Sequence, residues 1–335
     1  MGTPTFSVIG GAVVQEMLRD RHRELVDVVE HAYRLHGRAQ TVNPPSYFLT
    51  YPDRPGARTI ALPASVRGDI AVDGIKWISS FPANIRTGLP RASAVLVLND
   101  PETGYPFGCL ESSIISATRT AASAVLAAAT LARGDRPRRV TYFGTGLIAR
   151  YVHEFLVGTG WEFDEVGVYD LSADYARRFR EHIHADSVTV HTDPRSAIEK
   201  AGLVVFATTA ATPHVHDPSW FAHHPLVLHL SLRDLAPEVI LAATNVLDDV
   251  DHCLKANTSP HLAEQLTGSR DFVDATLYDV LTGAVTPRPG KPLVFSPFGL
   301  GVLDLAVGKF VYDEAARRGR LQRIDGFFAE LSRYN

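Results

Sequence analysis

A strand-like apolar run that leads directly into two closely spaced glycines is the feature that most constrains the fold of this chain. Val140–Phe143 is such a run, and Gly144, Gly146 and Ala149 follow it before a helical apolar pattern begins. Glycines at this spacing permit a tight turn and the approach of a ligand to the backbone, and the alanine lets the helix pack near the sheet. The pattern predicts a Rossmann-type turn that binds a dinucleotide through five successive residues, Gly144, Thr145, Gly146, Leu147 and Ile148.

The next predicted strand bears on the choice of dinucleotide. Glu165–Tyr169 ends on Asp170, about 20 residues beyond the turn, where the Rossmann fingerprint places an acidic residue. A carboxylate there accepts hydrogen bonds from ribose hydroxyls and repels the 2′-phosphate of NADP, so the sequence predicts NAD. Thr208 and Thr209 end a further predicted strand. Two interpretations of them stay open, a border to the nicotinamide ribose and a capping turn before Pro213.

The order of apolar runs indicates two kinds of sheet in one α/β chain. Short β-type runs between Pro, Gly and Asp turns fill residues 43–106 and favour a mostly antiparallel sheet. After Arg138, strand and helix patterns alternate, which is typical of a doubly wound parallel sheet. The predicted strands are Tyr47–Tyr51, Thr59–Leu62, Gly74–Ser80, Ala94–Asn99, Val140–Phe143, Glu165–Tyr169, Val188–His191, Leu203–Ala207, Leu226–Leu230 and Asn245–Leu247. The predicted helices lie within Val13–His36, Glu111–Arg133, Ile148–Val157, Ala173–His184, Pro237–Ala243 and Val302–Arg318.

Composition limits the classes of function. The 335 residues predict two domains, and 45% hydrophobic with 21% charged residues is an ordinary globular composition. The net charge of -4, without a basic block, argues against a nucleic-acid partner. The longest near-apolar stretch, Ala121–Ala132, is shorter than the roughly 20 residues of a membrane span, and the N-terminus lacks a secretory signal pattern. We therefore expect a cytoplasmic protein without a membrane partner.

Three charged residues stand in apolar segments. Lys76 lies in a strand pattern, Arg119 among small residues of a predicted helix, and Asp304 between leucines. A buried charge without a partner is costly, so each needs an opposite charge nearby. One interpretation pairs them with each other, with Asp304 as a first-turn acid favoured by the helix dipole. The other makes them part of a cationic pocket for a carboxylate substrate. Arg91 is a further candidate cation, with a surface turn as the alternative.

A cluster of histidines invites the hypothesis of a metal site. His214, His216, His223 and His224 are close in sequence, but their spacing matches no standard zinc motif. Prolines between them indicate irregular loop. No metal is expected.

Several motifs, in their order along the chain, resemble the ornithine cyclodeaminase/mu-crystallin family. They are Gly-Ile-Lys-Trp at 74–77, Asn84 and Gly88, the segment 100–106, Arg-Thr-Ala-Ala at 119–122, the dinucleotide turn, and Gly-Val-Leu-Asp-Leu-Ala at 301–306. The resemblance runs over nearly the whole chain. It implies a homodimer in which a Rossmann domain, residues 121–304, is inserted into an α+β substrate-binding and dimerisation domain made of residues 1–120 and 305–335.

Four segments are similar to one branch of that family in particular. They are Asn-Pro-Pro-Ser-Tyr-Phe-Leu at 43–49, Ile-Lys-Trp-Ile-Ser-Ser-Phe-Pro at 75–82, Pro-Arg-Ala-Ser-Ala at 90–94 and Ser-Pro-Phe-Gly-Leu-Gly-Val-Leu-Asp at 296–304. This branch oxidises N-(2-amino-2-carboxyethyl)-L-glutamate with NAD to 2-oxoglutarate and L-2,3-diaminopropionate, for siderophores and peptide antibiotics. True ornithine cyclodeaminases carry a carboxylate-binding arginine soon after a proline in the early strand region, and the segment 43–49 has none.

The resemblance also implies a role for each charged residue. Asp304 is the base for water or amine, Lys76 holds a carboxylate and relays protons, and Arg119 binds a carboxylate. Arg91 is the weaker candidate for another carboxylate. The alternatives are another amino-acid enzyme of the family (an ornithine cyclodeaminase, a ketimine reductase or an alanine dehydrogenase) and a non-catalytic NAD-dependent binder of small molecules, as mu-crystallin is.

Overall fold

The computed structural model describes residues 4–183, 185 and 187–331, and the chain divides into two compact units. The first contains Met1–Arg119 and Leu300–Asn335, and the second contains Thr120–Gly299. The expected domain boundaries after residues 120 and 304 stay a prediction. Asp304, which those boundaries put in the Rossmann domain, lies in the first unit. His184, the predicted end of one helix, lies outside the described residues.

Strands and helices are numbered along the chain. The strands are β1 (Ser7–Ile9), β2 (Thr41–Val42), β3 (Tyr47–Thr50), β4 (Arg58–Val66), β5 (Val72–Ser80), β6 (Ala92–Asn99), β7 (Pro106–Glu111), β8 (Arg139–Phe143), β9 (Glu165–Tyr169), β10 (Val188–Val190), β11 (Leu203–Phe206), β12 (Leu226–His229), β13 (Thr244–Leu247), β14 (Val273–Thr276), β15 (Leu293–Ser296) and β16 (Gln322–Arg323). The α-helices are α1 (Gly11–Leu18), α2 (His22–Gly37), α3 (Ser113–Ala132), α4 (Leu147–Gly158), α5 (Ala173–His182), α6 (Pro194–Glu199), α7 (Pro237–Leu241), α8 (Val250–Cys253), α9 (Ser259–Thr267), α10 (Leu277–Leu281) and α11 (Gly301–Arg317).

The first unit is built on one mixed sheet. Its strands follow the order β16–β1–β7–β6–β5–β4–β2, and β3 pairs with β4. In the described part of the chain every neighbouring pair is antiparallel except β1 with β7. The mostly antiparallel sheet predicted for residues 43–106 is therefore confirmed.

Helix α11 packs closely on one face of this sheet because glycines leave room for it. A Cβ atom on Gly308 would lie 2.1 Å from the side chain of Leu96 on β6. One on Gly74 would lie 2.8 Å from a leucine of α11. Gly74 and Lys76 are two residues apart on β5, so they share this face. The first turn of α11, with Asp304, is thereby placed beside Lys76.

The second unit contains a parallel sheet in the order β10–β9–β8–β11–β12–β15–β13–β14. All its neighbouring pairs among the described residues run parallel. The chain starts at β8, adds β9 and β10 on one side, and then crosses to β11 on the other. The predicted doubly wound sheet is confirmed, and the α/β fold with it. The strand order reverses between β8 and β11, which is where such sheets bind ligands at the carboxyl ends of their strands.

Helix α3 carries residues of both units. By length and composition alone it could cross a membrane, with a mean hydropathy of 1.4 over its most apolar window. However, 67% of that window is buried inside the protein. The small side chains of α3, such as Ala121, Ala124 and Ala128, are fully buried, which is typical of a core helix.

Candidate functional site

The tight turn after β8 depends on Gly144. Its φ of +79° lies in the left-handed region that disfavours other residues. A Cβ atom there would lie 2.7 Å from the carbonyl oxygen of Ala207 and 2.9 Å from the Cα of Thr208. Gly144 is thus required by the fold itself, because it lets β8 and the end of β11 come together at the reversal of strand order.

Gly146 has a different reason to be glycine. Its φ of -79° and ψ of -170° are open to any residue, and a Cβ atom would meet nothing within 4 Å. No atom of the described residues fills this space, which is what a cradle for a ligand requires. Gly146 also caps α4 without a side-chain hydrogen bond, so the first amide groups of α4 are available to an anion. Beside it Leu147 is exposed, and Ile148 is half-buried.

Asp170 is held by the same turn. The backbone amide of Thr145 donates to Oδ2 of Asp170 at 2.9 Å, and the Thr145 hydroxyl donates to the same oxygen at 2.7 Å. The amide of Ser172 donates to Oδ1 at 2.8 Å. These bonds fix the carboxylate at the carboxyl end of β9, where the sequence predicts a contact with the adenosine ribose. Asp170 stays half-buried and therefore accessible.

A buried carboxylate that sequence reasoning missed, Asp234, lies in the loop after β12. The Thr208 hydroxyl donates to its Oδ1, and His214 Nε2 lies 3.0 Å from the same oxygen. The Ser231 hydroxyl donates to Oδ2, and His229 Nε2 lies 3.3 Å from it. Burial opposes the ionisation of Asp234, but the hydrogen bonds from the two histidines outweigh it and hold the pKa of Asp234 well below its usual range.

The two threonines after β11 behave differently. Besides its bond to Asp234, the Thr208 hydroxyl accepts a hydrogen bond from the amide of Ala210 at 3.1 Å, so this residue supports the turn. Thr209 is exposed. Contact of either residue with a nicotinamide ribose stays a prediction.

In the first unit, the three charges that the sequence singles out form one cluster. Lys76 Nζ lies 2.7 Å from Asp304 Oδ2, and Arg119 Nε lies 3.2 Å from Asp304 Oδ1. Lys76 also donates to the hydroxyl of Ser116 at 3.2 Å. The side chain of Asp304 is 0% exposed and that of Lys76 2%, whereas Arg119 keeps 12%. Two cations share one carboxylate, so the cluster carries a positive charge that a substrate carboxylate would balance.

Burial weakens the basicity of Lys76. Desolvation of the ammonium group and the nearby charge of Arg119 lower the pKa of Lys76 to about 8, although Asp304 acts in the opposite direction. A lysine in this range can exchange a proton near neutral pH. The fully buried Asp304, with each oxygen bonded to a cation, holds both side chains in place.

Arg91 lies apart from this cluster, immediately before β6. Its Nε donates to the hydroxyl of Ser80 at 3.1 Å. Burial, and then the charge of Arg58, lower the pKa of Arg91. The side chain of Arg91 is half-buried.

The histidine cluster does not converge on a metal. His214 is bound to Asp234, and His223 Nε2 lies 2.8 Å from the carbonyl oxygen of Ala201. In the part of the chain that the structure describes, no group of three His, Cys, Asp or Glu side chains is arranged to hold a metal ion.

Comparison with known proteins agrees with this fold. The chain is 28% identical to N-((2S)-2-amino-2-carboxyethyl)-L-glutamate dehydrogenase of Staphylococcus aureus over 88% of this chain and 90% of that protein. It is 27% identical to alanine dehydrogenase of Archaeoglobus fulgidus, with 91% and 94% covered. The structure of Thermococcus litoralis Δ1-pyrroline-2-carboxylate reductase in complex with NADH and L-proline superposes with a TM-score of 0.85 at 21% identity, covering 95% of this chain and 100% of that one.

A family model matches nearly the whole length of this chain. It describes the ornithine cyclodeaminase/mu-crystallin family and matches residues 11–319, which include the glycine turn, Asp234 and the Lys76–Asp304–Arg119 cluster. The chain belongs to the ornithine cyclodeaminase/mu-crystallin family.

Proposed function

We propose that this chain is an NAD-dependent oxidoreductase acting on the C–NH bond of an amino acid. Its reaction is the oxidative hydrolysis of N-(2-amino-2-carboxyethyl)-L-glutamate to 2-oxoglutarate and L-2,3-diaminopropionate. The observation that carries the proposal is the buried cluster of Lys76, Asp304 and Arg119, which has a net positive charge and contains a lysine of lowered pKa. The similarity to the S. aureus dehydrogenase supports this choice of substrate.

The glycine turn of the second unit fits NAD. Gly146 leaves open space next to uncapped amides of α4, which suits a pyrophosphate. Thr145, Leu147 and Ile148 continue the cradle, and Asp170 would accept hydrogen bonds from the adenosine ribose. When bound, NAD accepts the hydride of the reaction. Turnover with NAD and with NADP tests this choice, because a preference for NADP would contradict the assignment of Asp170.

Residues of the first unit bind a substrate carboxylate and accept a proton from the substrate. Arg119 binds a substrate carboxylate, and neutral Lys76 removes the proton of the substrate's secondary ammonium group so that the nitrogen lone pair is free. Loss of hydride from the glutamate α-carbon then gives an imine. Water adds to the imine carbon, and the C–N bond breaks to release a ketone and a primary amine. One adduct, one NAD⁺ and one water yield 2-oxoglutarate, diaminopropionate, NADH and one proton.

We assign the base of this reaction to Lys76 from the contacts of the cluster together with the lowered pKa of this lysine. The family resemblance implies Asp304 as the base, and that role stays a prediction. Its contacts favour a positioning role, because both carboxylate oxygens are bonded to cations and the side chain is 0% exposed. Lys76 is the better proton acceptor since its pKa is about 8.

The turnover number is expected to rise with pH through about 8 in the wild-type enzyme. Below this pH the ammonium form of Lys76 dominates and cannot accept a proton, so the rate falls about tenfold per pH unit. The measurement is kcat from pH 6 to 10 with saturating substrate. Lys76→Arg should remove the inflection and most of the activity, while Lys309→Ala, on the exposed side of α11, should keep it. A flat wild-type profile, or an inflection that survives in Lys76→Arg, would contradict the assignment.

A substrate panel tests the proposed reaction directly. The glutamate adduct should be oxidised with NAD, whereas ornithine, alanine and proline should be poor substrates. Efficient oxidation of alanine instead would favour the activity named for the A. fulgidus relative. Binding of NAD without reduction of it by any of these compounds would favour a non-catalytic binder.

The outer face of the first sheet supports the homodimer that the family resemblance implies. Tyr47, Trp77 and Val95 are exposed, and strand pairing puts them in one row across β3, β4, β5 and β6. Trp77 follows Lys76, so this row lies on the face opposite to α11. Contiguous exposed apolar side chains mark interaction surfaces. Light scattering should give twice the chain mass, and Trp77→Asp should shift it toward the monomer; a monomeric wild-type protein at micromolar concentration would refute the dimer.

A further inference from the structure

Two arginines converge at the ends of three neighbouring strands in the first unit. Arg58 begins β4 and pairs with Ser80 at the end of β5, and Ser80 pairs with Ala92 at the start of β6. Arg91 immediately precedes β6, and its Nε donates to the Ser80 hydroxyl at 3.1 Å. Both guanidinium groups therefore lie at the same corner of the sheet, on either side of Ser80.

These arginines lack the partners that buried cations usually have. The Nε of Arg58 is buried and has no hydrogen-bond partner among the described residues, and both arginines are half-buried. Within residues 4–183, 185 and 187–331, neither makes an ion pair with a carboxylate. By contrast, the neighbouring Arg54 is exposed and lies 3.2 Å from Asp53. Two like charges that are partly removed from water are costly, and burial, followed by the charge of Arg58, accordingly lowers the pKa of Arg91. An anion at this corner would relieve the cost.

The corner shares a sheet face with the Lys76 cluster. Ser80 is four residues beyond Lys76 on β5, so two alternations bring its side chain back to the same face. At about 3.3 Å per residue, the two Cα positions are roughly 13 Å apart. The face thus offers cationic groups at Lys76 and around Ser80, and the apolar Ile78 lies between these two positions of β5.

We propose that Arg58 and Arg91 form a second carboxylate-binding subsite, which makes the enzyme selective for amino-acid adducts with a carboxylate distant from the reacting carbon. The inference rests on the proposed function. The glutamate α-carboxylate binds at Arg119, next to the carbon that is oxidised. A distal carboxylate of the adduct binds between Arg58 and Arg91, whose planar guanidinium groups suit bidentate hydrogen bonds to carboxylate oxygens. Monocarboxylate amino acids cannot reach both positions.

Kinetics with shortened substrates test this subsite. We compare the adduct with two analogues, one with the glutamate γ-carboxylate as an amide and one without the carboxylate of the aminocarboxyethyl group. Arg58→Gln and Arg91→Gln should each raise the KM for the adduct about tenfold to a hundredfold, with kcat nearly unchanged. One analogue lacks the carboxylate that binds between Arg58 and Arg91. For that analogue, neither substitution should change the KM. The identity of that analogue says which distal carboxylate binds.

The controls separate a binding role from a structural one. Arg54→Gln removes an exposed arginine a few residues away and should leave KM unchanged. Arg58→Lys keeps the charge but loses the planar fork, so its KM should lie between those of wild type and Arg58→Gln. Equal increases in KM for the adduct and both analogues, or no increase for any of them, would overturn the subsite.

A binding experiment distinguishes failure of the subsite from failure of the proposed reaction. Calorimetry with glutarate, a simple dicarboxylate, and with acetate needs no turnover. Glutarate should bind wild type and lose about tenfold or more in affinity in Arg58→Gln, while acetate should not distinguish the two proteins. If the adduct is not oxidised but glutarate binding depends on Arg58, the subsite is supported and the proposed reaction is refuted. If glutarate binding is independent of Arg58, the proposed subsite is refuted.

Discussion

Asp304→Asn is expected to lower turnover of the adduct about 10²–10⁴-fold while NAD binding is retained. In the wild type, Asp304 bonds to Lys76 at 2.7 Å and to Arg119 at 3.2 Å, so the charge of one carboxylate holds both cations. An amide of the same shape loses this charge and presents hydrogen-bond donors to one of them. Steady-state kinetics and an NAD titration measure the two effects. The glycine turn lies in the other unit, so its affinity for NAD should not change.

The pH profile shows whether Asp304 acts through Lys76. The carboxylate raises the pKa of Lys76 against the lowering effects of burial and Arg119, so its removal should shift the inflection in kcat to below about 8. Asp313→Asn is the matched control, since Asp313 lies on the same helix, is half exposed and pairs only with Lys309 among the described residues. Near-normal turnover in Asp304→Asn would refute the role of the cluster. An unshifted inflection would refute the coupling to Lys76.

Gly146→Ala is expected to weaken NAD binding at least about tenfold without loss of stability. A Cβ atom at Gly146 would lie more than 4 Å from every described residue outside its own turn, so the fold tolerates it. It would stand in the open space where the pyrophosphate approaches the backbone. Fluorescence titration with NAD and a thermal melt measure affinity and stability on the same sample.

Gly144→Ala is the contrasting variant in the same turn. Its φ of +79° and the 2.7 Å approach of the Ala207 carbonyl oxygen would strain any side chain there. We expect the melting temperature to fall, because a non-glycine residue in such a conformation costs about 1–3 kcal/mol. A Gly146→Ala protein that binds NAD as tightly as wild type would contradict the cradle. A Gly146→Ala protein that melts like Gly144→Ala would contradict the separation of the two roles.

The parts of the fold that local sequence determines were predictable. The turn at Gly144 joins β8 directly to α4, and the predicted strand Glu165–Tyr169 is observed with the same bounds. Helix α11 begins at Gly301, one residue before its predicted start. Strands β14 and β15 were not predicted. Each has four residues, and β15 is inserted between β12 and β13, so its place depends on distant pairings rather than on its own pattern.

The sequence predicts which charged residues of the candidate site need partners, but not how the fold brings them together. A charge in an apolar segment needs a partner, and the expectation that Lys76, Arg119 and Asp304 pair with each other is confirmed. The 228 positions between Lys76 and Asp304 put that pairing beyond any local pattern. Asp234 lies in a polar loop, which by its sequence is typical of a solvated segment. Its place just after a predicted strand is nevertheless a signal for a residue near the ligand site, because such sites lie at the carboxyl ends of parallel strands. Arg58 resembles an ordinary edge charge until the buried Nε is seen.

The most direct test of the central claim uses the glutamate adduct with deuterium on the glutamate α-carbon. Incubation with the enzyme and NAD should transfer that deuterium to NADH and yield one 2-oxoglutarate and one 2,3-diaminopropionate for each NADH formed. Mass spectrometry of all three products measures the ratio and the label. NADH without deuterium, NADH without 2-oxoglutarate, or no NADH from an enzyme that binds NAD would contradict the account.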